Sequence, residues 1–102
     1  MKKIGIIGGT GYTGGELARL LCLHPKIEIA AMTSRQNAGK NIGDVNSYLK
    51  GYVDLVLTER IDTDVDLVFV ATPHGVAMTE VPKFMDAGIK VIDMIIAAMG
   101  WA

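Results

Sequence analysis

A run of closely spaced glycines near the start of the chain is the feature of this sequence that most directly suggests chemistry. Residues 8–15 read GGTGYTGG and satisfy G-x-G-x-x-G through Gly9, Gly11 and Gly14. Glycines let the backbone turn tightly and approach a pyrophosphate, because they have no Cβ that would stand between the backbone and the phosphate oxygens. A buried strand must precede such a loop and a helix must follow it; otherwise it is a glycine-rich turn without a ligand. The residues predicted to contact a dinucleotide here are Gly8, Gly11, Tyr12, Thr13 and Gly14.

The strands that must position this loop follow from short apolar runs bounded by glycine or polar residues. The runs are residues 2–8, 27–33, 65–71 and 90–96, with a weaker candidate at 54–58. Strands joined by crossover helices form a parallel sheet with right-handed connections. The predicted fold is therefore a single α/β domain, a Rossmann-type doubly wound parallel sheet over residues 1–93.

Two helices are predicted between these strands. The first covers residues 13–24, and the apolar stripe expected to face the sheet contains Leu17, Leu20 and Leu21. The second covers residues 76–87 and is expected to end at a glycine cap, Gly88. Residues 34–52 are polar, rich in glycine and without periodicity, which indicates a long loop with a helical turn near 45–49.

An arginine follows the second predicted strand. NAD-selective proteins usually have Asp or Glu about 20 residues beyond the glycines, whereas this chain reads Thr33-Ser34-Arg35, with no acid. A guanidinium can stack on adenine and pair with a 2′-phosphate, and Ser34 and Lys40 are expected to add a hydrogen bond and a charge. NADP is therefore the predicted cofactor. The alternative is an exposed arginine that makes no specific contact.

The loop after the central strand supplies the third set of candidates, Thr72, Pro73 and His74. The carboxyl ends of parallel strands meet at one edge, so this loop is expected beside the nicotinamide end of the cofactor. His74 allows a general-acid role. No nucleophile or second acid accompanies it, so a groove-lining role is favoured, and no catalytic or metal-ligating residue is assigned.

Composition narrows the function classes. The 102 residues leave room for one domain, and half of them are hydrophobic. The formal net charge of -1 provides no basic stripe, which argues against a nucleic-acid partner. No apolar run reaches the roughly 20 residues of a membrane span. The single cysteine, Cys22, fits a reducing compartment, so the expected location is cytoplasmic and away from the membrane.

Taken together, the motifs match a known pattern that runs from Met1 to about Asp93. Its elements are residues 8–15 with Glu16-Leu17, His24-Pro25, Thr33-Ser34-Arg35 with Ala38-Gly39-Lys40, Pro73-His74-Gly75 and Val91-Ile92-Asp93. This pattern resembles N-acetyl-γ-glutamyl-phosphate reductase of arginine biosynthesis and the related carrier-protein-linked reductases of lysine biosynthesis. The resemblance implies reduction of an acyl phosphate to a semialdehyde with NADPH, through a cysteine thioester.

The resemblance also implies that this chain lacks the catalytic groups. In the family, the nucleophilic cysteine and its histidine lie in a stretch that is absent here, and Cys22 matches no catalytic position. After Asp93 the family continues with a Ser-Ala-Asp-Phe-Arg-like segment that helps to bind substrate. Residues 94–102 instead read MIIAAMGWA. This apolar segment is expected either to pack back on the domain as a short helix or to join two copies in a homodimer.

Three functions fit these features to different degrees. The first is an NADP(H)-binding domain of such a reductase, and the second is a free-standing nucleotide-binding or interaction module without catalysis. The third, an atypical short-chain dehydrogenase or nucleotide-sugar enzyme, needs a Tyr-x-x-x-Lys pair. Tyr12, Tyr48 and Tyr52 have no lysine four residues on, which argues against it.

Overall fold

A parallel sheet forms the centre of the molecule. The computed structural model describes residues 2–8, 12–62, 64–71 and 81–94. Its strands are β1 (Lys2–Ile7), β2 (Ile27–Thr33), β3 (Leu67–Val70) and β4 (Lys90–Asp93). They lie in the order β2-β1-β3-β4, and every neighbouring pair is parallel. The chain passes from β2 back across β1 to β3, so the topological switch point lies between β1 and β3. The predicted doubly wound fold is confirmed.

Helices cover both faces of this sheet. The helical segments are α1 (Tyr12–Leu21), α2 (Ile42–Val45), a 3-10 turn (Ser47–Leu49) and α3 (Val81–Asp86). Neighbouring residues of β1 point to opposite faces, as strand geometry requires. Ile6 therefore packs in one cluster with Ala18 of α1, whereas Ile7 packs in another with Phe84 of α3. Burial on both faces explains why the strands appear in the sequence as continuous apolar runs.

The first helix is shorter than predicted, and one member of its apolar stripe was assigned wrongly. α1 ends at Leu21 rather than His24, because the His24 N–H donates to the Leu21 carbonyl at 3.0 Å as the chain turns. Leu20 is 59% exposed. It lies two residues, or about 200° around the helix, from the fully buried Ala18, and so points away from the core.

The weak strand predicted at residues 54–58 is wrong. The segment makes isolated bridges only, Thr33 with Thr58 in parallel and Asn41 with Val56 in antiparallel orientation. Its backbone divides its hydrogen bonds between two partners. The Thr58 N–H donates to Met32 O at 3.1 Å, while the Leu57 N–H donates to Lys40 O at 2.8 Å. Because the pairing partner changes from residues 39–42 to residues 32–34 within this short segment, no continuous ladder forms.

The remaining differences concern segment ends. β3 and β4 are shorter than the predicted runs at 65–71 and 90–96. The helical turn expected near 45–49 starts earlier, at α2, where the Asn41 side chain accepts from the Gly43 N–H at 2.9 Å and caps the helix. Residues 76–80 of the predicted second helix and 95–102 of the predicted apolar segment lie outside the described residues.

The glycine cap of α3 is confirmed. Gly88 has φ of +77°, in the left-handed region that favours glycine. The Ile89 N–H donates to Phe84 O at 2.9 Å, and the Gly88 N–H donates to Met85 O at 3.0 Å. This pair of hydrogen bonds is the Schellman arrangement, which satisfies the last carbonyls of a helix.

Gly15, the last glycine of the run at residues 8–15, serves packing within the fold. Gly15 is buried on α1, and a Cβ built there would collide with the Tyr48 hydroxyl and lie 3.3 Å from Asn46 Nδ2. Tyr48 belongs to the 3-10 turn. The absence of a side chain at Gly15 therefore lets the 3-10 turn dock on α1.

Gly15→Ala should destabilise the fold by about 1–3 kcal/mol, because the added methyl must displace Tyr48. In a Tyr48→Ala background the collision is gone, and the same change should instead stabilise α1 by up to about 1 kcal/mol, since alanine favours helix over glycine. Urea unfolding of the four proteins measures both effects. A penalty of equal size in the two backgrounds would contradict the proposed contact.

Candidate dinucleotide-binding site

The carboxyl ends of the strands form one aligned edge. Ile7 of β1 is in register with Thr33 of β2 and Val70 of β3, and Val70 is in register with Asp93 of β4. Ligands of doubly wound sheets bind at this edge, near the switch point. The residues that immediately follow the first three strand ends are Gly8, Ser34 and Ala71. The three loops predicted to bind the cofactor therefore start side by side.

The glycine loop begins with a turn that suits glycine. Gly8 has φ of +86°, a conformation in which other residues are strained. Its N–H donates to the Thr33 side-chain oxygen at 3.2 Å. On the other side of β1, the Ala71 N–H donates to Ile7 O at 2.9 Å. The start of the loop is thus attached to both neighbouring strands.

Helix α1 begins just beyond this loop and is suited to an anion. It starts at Tyr12 and carries no acidic residue in its first turn. The amides in the first turn of a helix have no partner within the helix. Together with the positive end of the dipole, they favour a phosphate at the carboxyl edge. Gly14 is buried and Thr13 half-buried, which agrees with the close packing expected for Gly14.

The nearest acid on α1 is already paired. Arg19 donates to Glu16 at 2.9 Å in an exposed ion pair one turn apart. This hydrogen bond from Arg19, aided by its charge, holds the pKa of the Glu16 carboxyl below its usual value. The charge of Glu16 is therefore partly offset by Arg19 close to where a phosphate would bind.

The loop after β2 is anchored and presents two cations. Ser34 is buried, and its side-chain oxygen accepts from the Asn37 N–H at 3.2 Å. The Gly39 N–H donates to Leu57 O at 2.8 Å. Arg35 and Lys40, by contrast, are exposed. The site therefore offers positive charge to solvent on a short segment whose ends are hydrogen-bonded to the rest of the fold.

The predicted site residues divide into those the structure describes and those it does not. The described ones, which follow β1 and β2 at the carboxyl edge, are Gly8, Tyr12, Thr13, Gly14, Ser34, Arg35 and Lys40. The predictions for Gly11, Thr72, Pro73 and His74 concern positions outside the described residues. The run Thr33-Ser34-Arg35 stands out in the sequence, but no contact was predicted for Thr33 itself, because a β-branched residue at the end of an apolar run is indistinguishable from an ordinary strand residue.

Other features of the described chain lie away from this edge. The Cys22 thiol donates to the Arg19 carbonyl at 3.1 Å, just after α1 and at the end of the helix remote from the glycine loop. Within the described residues, no group of three or more His, Cys, Asp or Glu side chains could hold a metal ion. Among the helices of the same residues, none has both the length and the apolar character needed to cross a membrane.

Comparison with known proteins agrees with this geometry. The family model for the NAD-binding domain of semialdehyde dehydrogenase matches residues 3–97. N-acetyl-gamma-glutamyl-phosphate reductase of Herminiimonas arsenicoxydans is 50% identical over 97 residues, which cover 92% of this chain and 28% of that protein. The protein of the same name from Methanocaldococcus jannaschii is 51% identical over 98 residues, with 92% and 29% covered. The chain thus spans less than a third of the length of these relatives.

Solved structures show the same fold. Aspartate semialdehyde dehydrogenase with NADP from Candida albicans superposes with a TM-score of 0.73 and 31% identity, over 91% of this chain and 29% of that one. A probable aspartate-semialdehyde dehydrogenase from Pseudomonas aeruginosa gives a TM-score of 0.70 over 94% of this chain and 28% of that one. At 22% identity, the second supports the fold alone. The resemblance inferred from the motifs is confirmed, and the chain belongs to the family of semialdehyde dehydrogenase NAD-binding domains.

Proposed function

We propose that this chain is the NADP(H)-binding domain of an acyl-phosphate reductase of the N-acetyl-γ-glutamyl-phosphate reductase type. The observation that carries the choice of NADP is the exposed Arg35 at the carboxyl end of β2, where the sequence Thr33-Ser34-Arg35 includes no acid to bind ribose hydroxyls. Lys40 adds a second exposed cation from the same loop. The related structure from Candida albicans, which was solved with NADP, supports the same choice.

Different described residues are suited to bind the pyrophosphate and the 2′-phosphate of NADP. The turn at Gly8 and the acid-free first turn of α1 would receive the pyrophosphate. Arg35 would pair with the 2′-phosphate and stack on adenine, with Lys40 adding charge and Ser34 a hydrogen bond. Thr72, Pro73 and His74 are proposed to line the nicotinamide end. The bound cofactor would supply the hydride.

Titration of the purified chain with NADP and with NAD, followed by calorimetry, tests this proposal. NADP should bind more tightly than NAD, because only NADP carries the phosphate that Arg35 can pair with. Adenosine alone serves as the control for binding without phosphates. Equal affinity for the two cofactors would show that the choice of NADP is wrong, and no binding of either would remove the proposed function.

The proposal also predicts that the 102-residue chain reduces no acyl phosphate. Thioester chemistry needs a thiolate, a partnered base and an oxyanion site, and the only cysteine is Cys22. Because α1 has ten residues, Cys22 lies about 15 Å along the helix axis from the phosphate end. NADPH absorbance should stay constant with N-acetylglutamyl phosphate. Steady consumption that Cys22→Ser abolishes would contradict this prediction.

The location of the protein belongs to the same proposal. A single free thiol, half-exposed at Cys22, is suited to a reducing compartment. The resemblance to reductases of arginine biosynthesis points to the same compartment. We therefore propose that the domain acts in the cytoplasm.

A further inference from the structure

A side chain from the neighbouring strand holds the first residue of the glycine loop. The Gly8 N–H donates to Thr33 Oγ1 at 3.2 Å, across 25 positions of the sequence. Gly8 has φ of +86°, so this amide lies where the chain leaves β1 and turns into the loop. Thr33 is only 7% exposed. A partly buried amide that loses its acceptor is destabilised, so Gly8 would move to recover a partner.

Thr33 is itself held on both sides. It is in register with Ile7 of β1 and forms a parallel bridge with Thr58 on its other side. The Thr58 N–H donates to Met32 O at 3.1 Å, and the Ser34 N–H donates to Thr58 O at 2.9 Å. Any shift of the Thr33 backbone would disturb both pairings. The side chain of Thr33 therefore extends from a well-fixed backbone position.

The segment that carries the Thr33 hydroxyl also carries Arg35, the cation proposed to bind the 2′-phosphate. Arg35 lies two residues after Thr33, in a turn that the Ser34 side chain ties down by accepting from the Asn37 N–H at 3.2 Å. One short stretch at the end of β2 is thus linked both to the loop for the pyrophosphate and to the arginine for the 2′-phosphate.

We propose that Thr33 is a positioning residue of the dinucleotide site, whose hydroxyl sets the position of Gly8, the first residue of the glycine loop. This inference rests on the proposed function. It assigns different roles to two residues of one segment. Thr33 affects the pyrophosphate, which NADP and NAD share, whereas Arg35 affects the 2′-phosphate, which only NADP has.

Substitutions at Thr33 test this division by calorimetric titration with both cofactors. Thr33→Val keeps the shape and removes the oxygen, so it should weaken NADP and NAD by the same factor, roughly three- to tenfold. Thr33→Ala, which removes the same oxygen, should give the same pattern. Thr33→Ser restores the acceptor and should bind both cofactors as the wild type does.

The matched control is Thr58→Val. Thr58 lies beside Thr33, but its hydroxyl donates to Arg60 O at 2.8 Å and not to the glycine loop. Its loss should leave both affinities unchanged. Amide exchange without cofactor gives an independent readout, since the Gly8 N–H should exchange faster in Thr33→Val and remain protected in Thr33→Ser. Circular dichroism verifies the fold of each variant.

The outcomes separate the inference from the proposed function. Parallel weakening of both cofactors, with rescue by Thr33→Ser, supports the positioning role. Unchanged affinities in Thr33→Val and Thr33→Ala, or a loss confined to NADP, would overturn it while leaving the proposed function intact. A lower melting temperature with unchanged affinity would also overturn it, because the hydroxyl would then serve stability alone. If the wild type binds neither cofactor, both fail.

Discussion

Replacing Arg35 with alanine should erase most of the preference of this domain for NADP over NAD. A charge-assisted hydrogen bond contributes about 1.5–3 kcal/mol, which corresponds to a preference of roughly ten- to a hundredfold or somewhat more. The loss should appear as weaker NADP binding with little change for NAD, because only NADP carries the 2′-phosphate. Calorimetric titration of both cofactors measures the two affinities directly.

A second substitution at the same position should have a larger effect. Arg35→Asp adds repulsion against the 2′-phosphate and supplies an acceptor for the ribose hydroxyls, so it should reverse the preference in favour of NAD. The NADP advantage of the wild type should also shrink as ionic strength rises, since Arg35 is exposed and its field is screened.

The control for net charge is Lys26→Ala. Lys26 is exposed and precedes β2, whereas Arg35 follows it. The strand has seven residues, so the two cations are separated by more than about 20 Å. Both variants lose one positive charge, but only Arg35→Ala should alter the cofactor preference. A parallel loss for NADP and NAD in Arg35→Ala, or an equal effect of Lys26→Ala, would show that Arg35 makes no specific contact.

Gly8→Val should abolish detectable binding of both dinucleotides. Valine is strained at φ of +86°, and its side chain would occupy the place where the backbone must approach the pyrophosphate. The strain itself is worth about 1–3 kcal/mol. A stable domain tolerates such a cost, so the variant should fold while its glycine loop no longer accepts phosphates.

Gly51→Val is the control that distinguishes the effect of backbone strain on stability from the loss of dinucleotide binding. Gly51 has nearly the same backbone conformation, with φ of +87°, and a Cβ there would meet nothing within 4 Å. It follows the 3-10 turn, and its neighbour Tyr52 lines a cavity with Cys22 and Ile27, at the amino end of β2 and so opposite the carboxyl edge of the sheet. Both variants should therefore lose similar stability in urea unfolding, while only Gly8→Val loses affinity. If Gly8→Val binds dinucleotides as Gly51→Val does, the loop is a turn without a ligand.

The sequence by itself determined those parts of the fold that depend on residues close together in the chain. β2 spans Ile27–Thr33, as predicted, because its apolar run follows a proline turn and ends at polar residues. The cap at Gly88 was predictable because helices often end at a residue with positive φ, and that residue is usually glycine. The glycine loop between β1 and α1 follows from spacing alone, as does the arginine after β2.

The burial of single side chains and the pairing of short segments were less predictable, because both depend on neighbours that are distant in the sequence. Leu20 looks like a core residue in the sequence but points away from the sheet. Residues 54–58 look like a strand, yet their backbone groups find two different partners. In both cases the local pattern is compatible with the predicted structure, but contacts with distant parts of the chain produce a different one.

Only the tertiary structure decided how the candidate site is held together. In the sequence, Thr33 looks like an ordinary β-branched strand residue, and Tyr48 looks like part of a polar loop. The hydrogen bond from Gly8 to Thr33 joins residues 25 positions apart and exists because β1 and β2 pair in register. Tyr48 packs against Gly15 because the 3-10 turn docks on α1. The spacing of neighbouring residues carries no information about which distant backbone will come within hydrogen-bond distance, so these contacts had to be seen in the folded chain.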